Sequence, residues 1–312
     1  MKLEYINIAH FPLQGPYDMD IHQLTAIFCE IDDFCNSLDE HTQHYLLKES
    51  MKGHRGPSCG LAISEIMTIL VMFQSSRIRD FKNFYLGLLS LYYKGYFPKL
   101  PSYERFVHLI QRAIFPLTIF TQLRAGKQTG VYYIDSTCLP VCHIKRSSRQ
   151  QTFDAVASYG YTSVGWFFGL KLHLVINDRG ELMAFKMTSG NRHDSKEAVP
   201  LLKKFKGLAF GDKGYLGKKI FEELFEAGIK LITRSRKNMK NKPVISRVER
   251  TLLNQRGIIE TVIGHIKLTF QVLHTRHRSI MNALTHLVAA LAAYTMKPLK
   301  ISAIKMLTIC SK

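Results

Sequence analysis

The 312-residue sequence predicts an α/β chain in which an all-helical module precedes a mixed sheet wrapped by helices. Three observations carry this. Apolar residues recur at three- and four-residue steps through the first 125 residues, strand-like runs take over from Gly130, and from Asp194 onward short apolar runs alternate with amphipathic ones. No internal repeat or low-complexity segment interrupts the pattern.

In the first part, helices are expected over Asp20 to Leu38, Leu61 to Gln74, Phe81 to Tyr93 and Ser102 to Leu123, separated by turns such as Gly53-His54-Arg55-Gly56-Pro57. Such a basic helical module suits either a helix-turn-helix or a plain bundle. Val131 to Ile134 then reads as a short strand ending at Asp135, and Gly165 to Ile176 as a longer one rich in aromatic and branched residues. Asn177-Asp178-Arg179-Gly180 reads as a hairpin turn into a strand over Glu181 to Thr188. A helix from Asp194 to Phe205, started by an Asp-Ser cap, leads to a strand Leu208 to Phe210 that ends at Gly211-Asp212. A helix over Tyr215 to Ala227, a strand over Ile229 to Ile232 and a long helix over Thr251 to Phe270 complete the order. Three strands, helix, strand, helix, strand, helix matches a ribonuclease-H-like mixed-sheet core. The expected divisions are 1–125 helical, 126–275 the mixed-sheet core, and 276–312 a C-terminal helical segment.

Composition narrows the function. With 46% hydrophobic residues the chain can bury a sizeable core, and 43 Lys and Arg against 24 Asp and Glu leave a net charge of +19. That excess is the footprint of a protein that lies along phosphates. A membrane surface would fit the charge as well, but no apolar window of 18 residues is expected. The Leu287 to Met296 run reads as a buried helix, and the N-terminus carries no export signal. Cys29, Cys35, Cys59, Cys138, Cys142 and Cys310 lack a framework spacing, so free thiols in a reducing compartment such as the cytoplasm are expected. Cys138 and Cys142 followed by His143 lack a second ligand pair, and the two cysteines read as small buried thiols rather than zinc ligands.

Against this basic background three acids stand out. Taken singly, Asp135 could open an Asp-Ser-Thr turn, Asp212 could be a turn residue, and Glu260 could be a solvated helix residue. Together, Asp135 and Asp212 fall at the ends of strands that neighbour one another in this sheet order, where α/β ligands bind. On the last long helix Arg256, Glu260 and Lys267 share an edge beside the apolar stripe of Leu252, Ile259, Ile263, Ile266 and Phe270. A few carboxylates in a basic protein suit two divalent cations acting on a phosphodiester. Glu249 is the alternative third acid.

Cations cluster nearby. Lys230, Arg234, Arg236, Lys237, Lys240, Lys242, Arg247 and Arg250 face one acid, Glu249, and read as a loop that grips DNA without reading sequence, the other account being a solvated loop. Lys267, His274, Arg276, His277 and Arg278 extend the track. His193 beside Asp194 reads as a helix cap, with a metal or water contact as the alternative.

Tyr133-Ile134-Asp135-Ser136-Thr137, Ser189 through Ser195, Gly211-Asp212-Lys213-Gly214-Tyr215 and Arg256-x3-Glu260-x6-Lys267 together resemble a DDE-type insertion-sequence transposase, over roughly Tyr96 to Tyr294. Their order and context resemble insertion sequence family 982, in the clan of families 4 and 5. The resemblance implies Asp135, Asp212 and Glu260 as a metal-binding catalytic triad for Mg2+ or Mn2+, two ions being expected. It also implies DNA contacts by Arg256, Lys267, Lys213, Arg234, Arg236, Lys237, Lys240 and Lys242, with His193 and Asp194 as accessory residues. The expected partners are double-stranded DNA, as terminal inverted repeats and target, and further copies of the chain assembled on it. The sequence departs from the clan in two places: Leu253 stands where a tyrosine often precedes the arginine, and Glu260 follows Asp212 by only 48 positions, leaving no room for a strand-rich insertion. The expected activity is end cleavage and strand transfer. A nuclease without strand transfer and a non-catalytic DNA-binding derivative are the alternatives.

Overall fold

The structure, a computed structural model, describes residues 20–38, 60–235, 244–270, 272, 277–298 and 300. Its first helices follow the apolar periodicity: α1 (Ile21–Ser37), α2 (Ile63–Ser75), α3 (Phe81–Asn83 continuing as a π-helical Phe84–Leu89 and Ser90–Tyr92), α4 (Tyr103–Leu109) and α5 (Ile114–Leu123). Side-chain oxygens open several of them. The Asp20 carboxylate accepts the His22 N–H, and the Ser102 hydroxyl accepts the Arg105 N–H.

Six strands follow: β1 (Val131–Cys142), β2 (Ser158–Thr162), β3 (Gly165–Asn177), β4 (Leu182–Ser189), β5 (Gly207–Gly211) and β6 (Ile229–Thr233). Between and after them come α6 (Ser195–Leu202), α7 (Lys218–Glu226), α8 (Arg247–Asn254), α9 (Gly257–Thr269) and α10 (Ile280–Met296). The sheet runs β2-β3-β1-β5-β6, and β4 joins β3 alongside β2. Pairings of β1 with β3, β2 with β3 and β3 with β4 are antiparallel; β1 with β5 and β5 with β6 are parallel. This mixed α/β architecture is compatible with a ribonuclease-H-like core.

Strand alternation divides the sheet into two packed faces. Tyr133, Leu139, Leu172, Leu174, Ile176 and Phe210 face a core shared with α1, α2, α5, α9 and α10. Tyr132, Ile134, Val175, Ala209 and Leu231 face α6 and α7 through Ala198, Leu201, Leu202 and Leu224. Helix α10 is central to the first core: Asn282 Nδ2 donates to Val107 O at 3.0 Å, Gln74 Nε2 lies 3.2 Å from His286 Nδ1, and the Tyr294 hydroxyl donates to Gly180 O. The apolar Leu287 to Met296 run is thus buried in protein, as its length implied.

Several expectations need correction. The segment Tyr103–Leu123 is long and apolar enough to cross a membrane by length and composition, contrary to the sequence reading. Phe106, Leu109, Ile110, Ala113, Leu117 and Phe120 in it are buried in the first core. Strand β1 does not end at Asp135 but runs on to Cys142, so Asp135 sits within the strand. Pro140 disguised this continuation; it is accommodated at a register shift between Pro140 and Cys142, where a missing N–H is tolerated. Strand β2 went unforeseen because Ser-Tyr-Gly-Tyr-Thr carries little apolar signal, and pairing with β3 creates it. The single helix expected over Thr251 to Phe270 is two. A capping box of Ser246 and Glu249 starts α8, and the chain turns at Gln255-Arg256 before α9.

Where β1 and β3 cross most closely, a Cβ at Gly169 would stand 2.2 Å from Leu139 O, a backbone atom with nowhere to go. Gly169→Ala should therefore destabilise the fold by about 1–3 kcal/mol through overpacking, read as a lower denaturation midpoint at unchanged slope. Wild-type stability in that variant would show that the two strands can separate without cost.

Candidate metal and nucleic-acid site

The parallel register of β1 and β5, Val131 to Leu208 through Tyr133 to Phe210, carries Asp135 opposite Asp212 when continued by two residues. Gly211 makes room there: a Cβ on it would meet the Tyr215 ring at 3.1 Å and Ile134 Cγ2 at 3.2 Å. Asp212 is exposed and begins a short 3-10 turn, Lys213–Tyr215, that turns Lys213 to solvent and buries Tyr215. Asp135 points to the opposite face from Ile134, toward α9. Its Oδ1 accepts the Ser136 N–H at 2.8 Å.

Arg256, at the start of α9, joins the constellation. Its guanidinium lies 3.5 Å from Asp135 Oδ2 and pairs directly with Glu260 one turn along the helix. Burial pushes the Asp135 carboxyl up to about 6; the Ser136 N–H and Arg256 pull against that shift, while the Asp212 and Glu260 charges add to it. The Tyr215 hydroxyl is held well above its ordinary value, by burial first and then by Asp135, Asp194 and Asp212. The acids named from sequence thus share one electrostatic neighbourhood. Glu260 is exposed, its side chain 57% accessible.

Glu249 is held elsewhere. It accepts the Ser246 N–H at 2.7 Å and Lys230 Nζ at 2.6 Å, so its carboxylate is used in closing α8 onto β6. Leu253 is buried, so the position where the clan often has tyrosine faces the core in this chain. Lys267 lies partly exposed two turns beyond Glu260, and Arg234 is exposed just past β6. Arg236, Lys237, Lys240 and Lys242 lie outside the described residues, as do His274 and Arg276.

Asp194 does not cap α6 with its side chain, contrary to the sequence reading; its carboxylate accepts Lys171 Nζ at 3.1 Å and sits 4.0 Å from His173 Nδ1. Asp194 is the N-cap by backbone position only, and the Ser195 N–H is accepted instead by Nδ1 of the preceding His193 at 3.3 Å. His173 was not named from sequence. It is fully buried, its Nε2 lies 2.9 Å from Thr188 Oγ1, and burial pushes it down against the pull of Asp194. One signal was available: a histidine and a lysine two apart in an otherwise apolar strand both face the side of the sheet where Asp194 arrives.

As donors, Asp135, Asp212 and Glu260 offer hard carboxylate oxygens of the kind Mg2+ and Mn2+ prefer. Among the described residues no three His, Cys, Asp or Glu side chains converge tightly enough to hold an ion as they stand, and Arg256 spans Asp135 and Glu260. The donor chemistry fits a divalent cation, and two of the acids pair with a guanidinium. The described cysteines, Cys29, Cys35, Cys138 and Cys142, form no disulfide with one another.

Glu197 braces this region from α6. Its side chain is 1% exposed and pairs with Lys186 at 2.6 Å and Arg192 at 2.7 Å. Burial pushes its carboxyl up, but the two cations outweigh that and leave it below its ordinary value. A folded-state pKa below the unfolded one gives stability that is present above the unfolded value and is lost as pH falls through the folded one. Glu197→Gln should cost about 1–3 kcal/mol at neutral pH, with the gap to wild type closing on acidification below the ordinary carboxylate range. A gap independent of pH in denaturant titrations would refute this account.

No curated protein matches the chain. A family model described as a transposase DDE domain matches residues 125–280, which spans all six strands, both helices that carry Glu249 and Glu260, and half of the sequence. The chain belongs to the transposase DDE domain family.

Proposed function

We propose that the protein is an insertion-sequence transposase of the family 982 type that cleaves DNA at the ends of its element and transfers the freed 3′ strand into target DNA. The observation that supports this most is the Arg256 guanidinium paired with both Asp135 and Glu260, beside Asp212, in a chain of net charge +19. In this reading Asp135, Asp212 and Glu260 hold Mg2+ or Mn2+. Such ions activate the attacking oxygen and neutralise the leaving one.

The protein's own groups do the rest. Arg256 keeps two like-charged acids together before substrate arrives, since a shared cation offsets their repulsion. Lys213, next to Asp212, and Lys267, on the edge of α9 that carries Glu260, are in this reading the contacts to phosphate oxygens near the acids. Arg234 and the run Arg236, Lys237, Lys240 and Lys242 add sequence-independent grip. Asp194, fixed by Lys171, holds the start of α6 near Gly214, whose added Cβ would lie 4.0 Å from Asp194 Oδ2. It thereby supports the turn that follows Asp212. His193 remains an accessory residue at that cap. The helical module before residue 126 is proposed to recognise the element ends, and assembly of copies on DNA to bring two ends together.

Replacing Asp135, Asp212 or Glu260 by Ala should abolish end cleavage and strand transfer with Mg2+ or Mn2+ while a shift assay on the same labelled duplex still registers binding. Ca2+ should support assembly without efficient chemistry. Cleavage by Glu260→Ala but not by Glu249→Ala would reassign the third acid. Normal cleavage by all the single variants would end the metal-site reading, and cleavage without strand transfer would leave a nuclease.

Neutralising Lys237, Lys240 and Lys242 together should weaken binding to all duplexes alike. The slope of log affinity against log salt should become shallower by about 0.9 for each phosphate that is no longer neutralised. An unchanged slope would return that run to solvent.

A further inference from the structure

The hairpin of β2 and β3 carries a surface that the acids do not use. Trp166 and Tyr161 are direct cross-strand partners, each 65% exposed, with ring centroids 5.3 Å apart at 66°. Tyr159, 49% exposed, continues the row on β2, and its hydroxyl lies 2.8 Å from Ser147 Oγ. Ser147 belongs to the 3-10 segment Ile144–Arg149, whose Lys145, Arg146 and Arg149 are exposed. A cross-strand aromatic pair steadies a hairpin. Leaving most of a tryptophan and two tyrosines in water beside three cations is more than that purpose needs.

Parity and charge say what this surface fits. Leu170, Leu172 and Leu174 of β3 face the same core as Tyr133 and Leu139 of β1, and Asp135 pairs with Leu174. Trp166 has the parity of Leu174, so the aromatic row lies on the face of the sheet that Asp135 addresses. It is eight residues farther along β3, about 26 Å by strand rise. That span matches about eight nucleotides of a DNA strand. Between Asp135 and Asp178 the sequence holds one acid, Asp154, against Lys145, Arg146, Arg149 and Lys171. Rings standing proud among cations are the arrangement that stacks unpaired bases while the backbone phosphates are neutralised alongside.

We propose that the β2–β3 hairpin binds single-stranded DNA, with bases stacking on Trp166 and Tyr161 and phosphates meeting Lys145, Arg146 and Arg149. The proposal rests on the DNA-processing function above and adds to it a place for a strand that has left the duplex near the site.

Trp166 is the only tryptophan in the chain, so its emission reports on the hairpin alone. The full-length protein would be titrated with an oligothymidylate of about 12 nucleotides and with a blunt duplex of the same length at equal salt. Saturable quenching by the single strand, and clearly weaker quenching by the duplex, is expected. By anisotropy of the labelled oligonucleotide, Trp166→Ala should bind about tenfold more weakly, whereas Trp166→Phe, which keeps a ring, should stay within a few fold of wild type. Unchanged emission, equal quenching by duplex, or wild-type affinity in Trp166→Ala would each overturn the proposal. A shift in emission with protein concentration alone, without DNA, would overturn it in favour of an interface between copies of the chain. The acid substitutions read cleavage and the emission reads the hairpin. Loss of quenching with intact acid dependence would therefore sink this inference alone, and quenching without acid dependence would sink only the cleavage chemistry.

Discussion

Strand β1 is the constraint on which the rest depends. It pairs antiparallel with β3 along nearly its whole length and parallel with β5 over its first residues, so it sets the register of both halves of the sheet at once. Its alternate side chains enter different cores, Tyr133 and Leu139 with the helices on one side and Tyr132 and Ile134 with α6 and α7 on the other. A slip of one residue would exchange these sets and turn Asp135 away from α9. The burial of four large side chains therefore specifies the direction of one carboxylate.

That direction has an electrostatic consequence. A carboxylate emerging from a buried strand loses solvation, which is why the Asp135 carboxyl is pushed up to about 6 even with Arg256 and a backbone N–H in reach. Charges from Asp212 and Glu260 deepen the same tendency. A site of this kind favours a cation, and Arg256 supplies one. The opposite face uses similar means for a structural purpose: Lys171 with Asp194, and Lys186 and Arg192 with Glu197, hold α6 against β3 and β4.

The helices before β1 are continuous in packing with this sheet. Helix α10, from the far end of the chain, lies against α2 and α5 and also reaches the β3–β4 turn through Tyr294 and Gly180. The first core is therefore built from both ends of the described chain and the sheet face between them, which ties the placement of α9 and its charges to residues more than a hundred positions away.

Much of this was legible in the sequence. Helical periodicity located most of the described helices, though it merged α8 with α9 and began α10 at Leu287 rather than Ile280; the Asn177 to Gly180 turn was readable from its residue types, and Asp135, Asp212 and Glu260 stood out as acids in ordered motifs of a basic chain. These are local signals, set by the 3.6- and 2-residue periods and by turn chemistry. What needed the tertiary structure was whatever depends on a partner strand or on burial. Pro140 reads as a breaker until β3 is seen to accept it at a register shift. Ser158–Thr162 is a strand only because Gly165–Gly169 pairs with it. Glu249 and Glu260 look alike in sequence, yet one is taken up by Lys230 and a helix cap and the other by Arg256. Asp194 turns from the cap to Lys171 because a partly buried ammonium needs a counter-charge more than an accessible helix end needs another acceptor. Sequence determined which groups were present and where most helices and strands begin; long-range pairing and desolvation decided β2, the length of β1 and which charges meet.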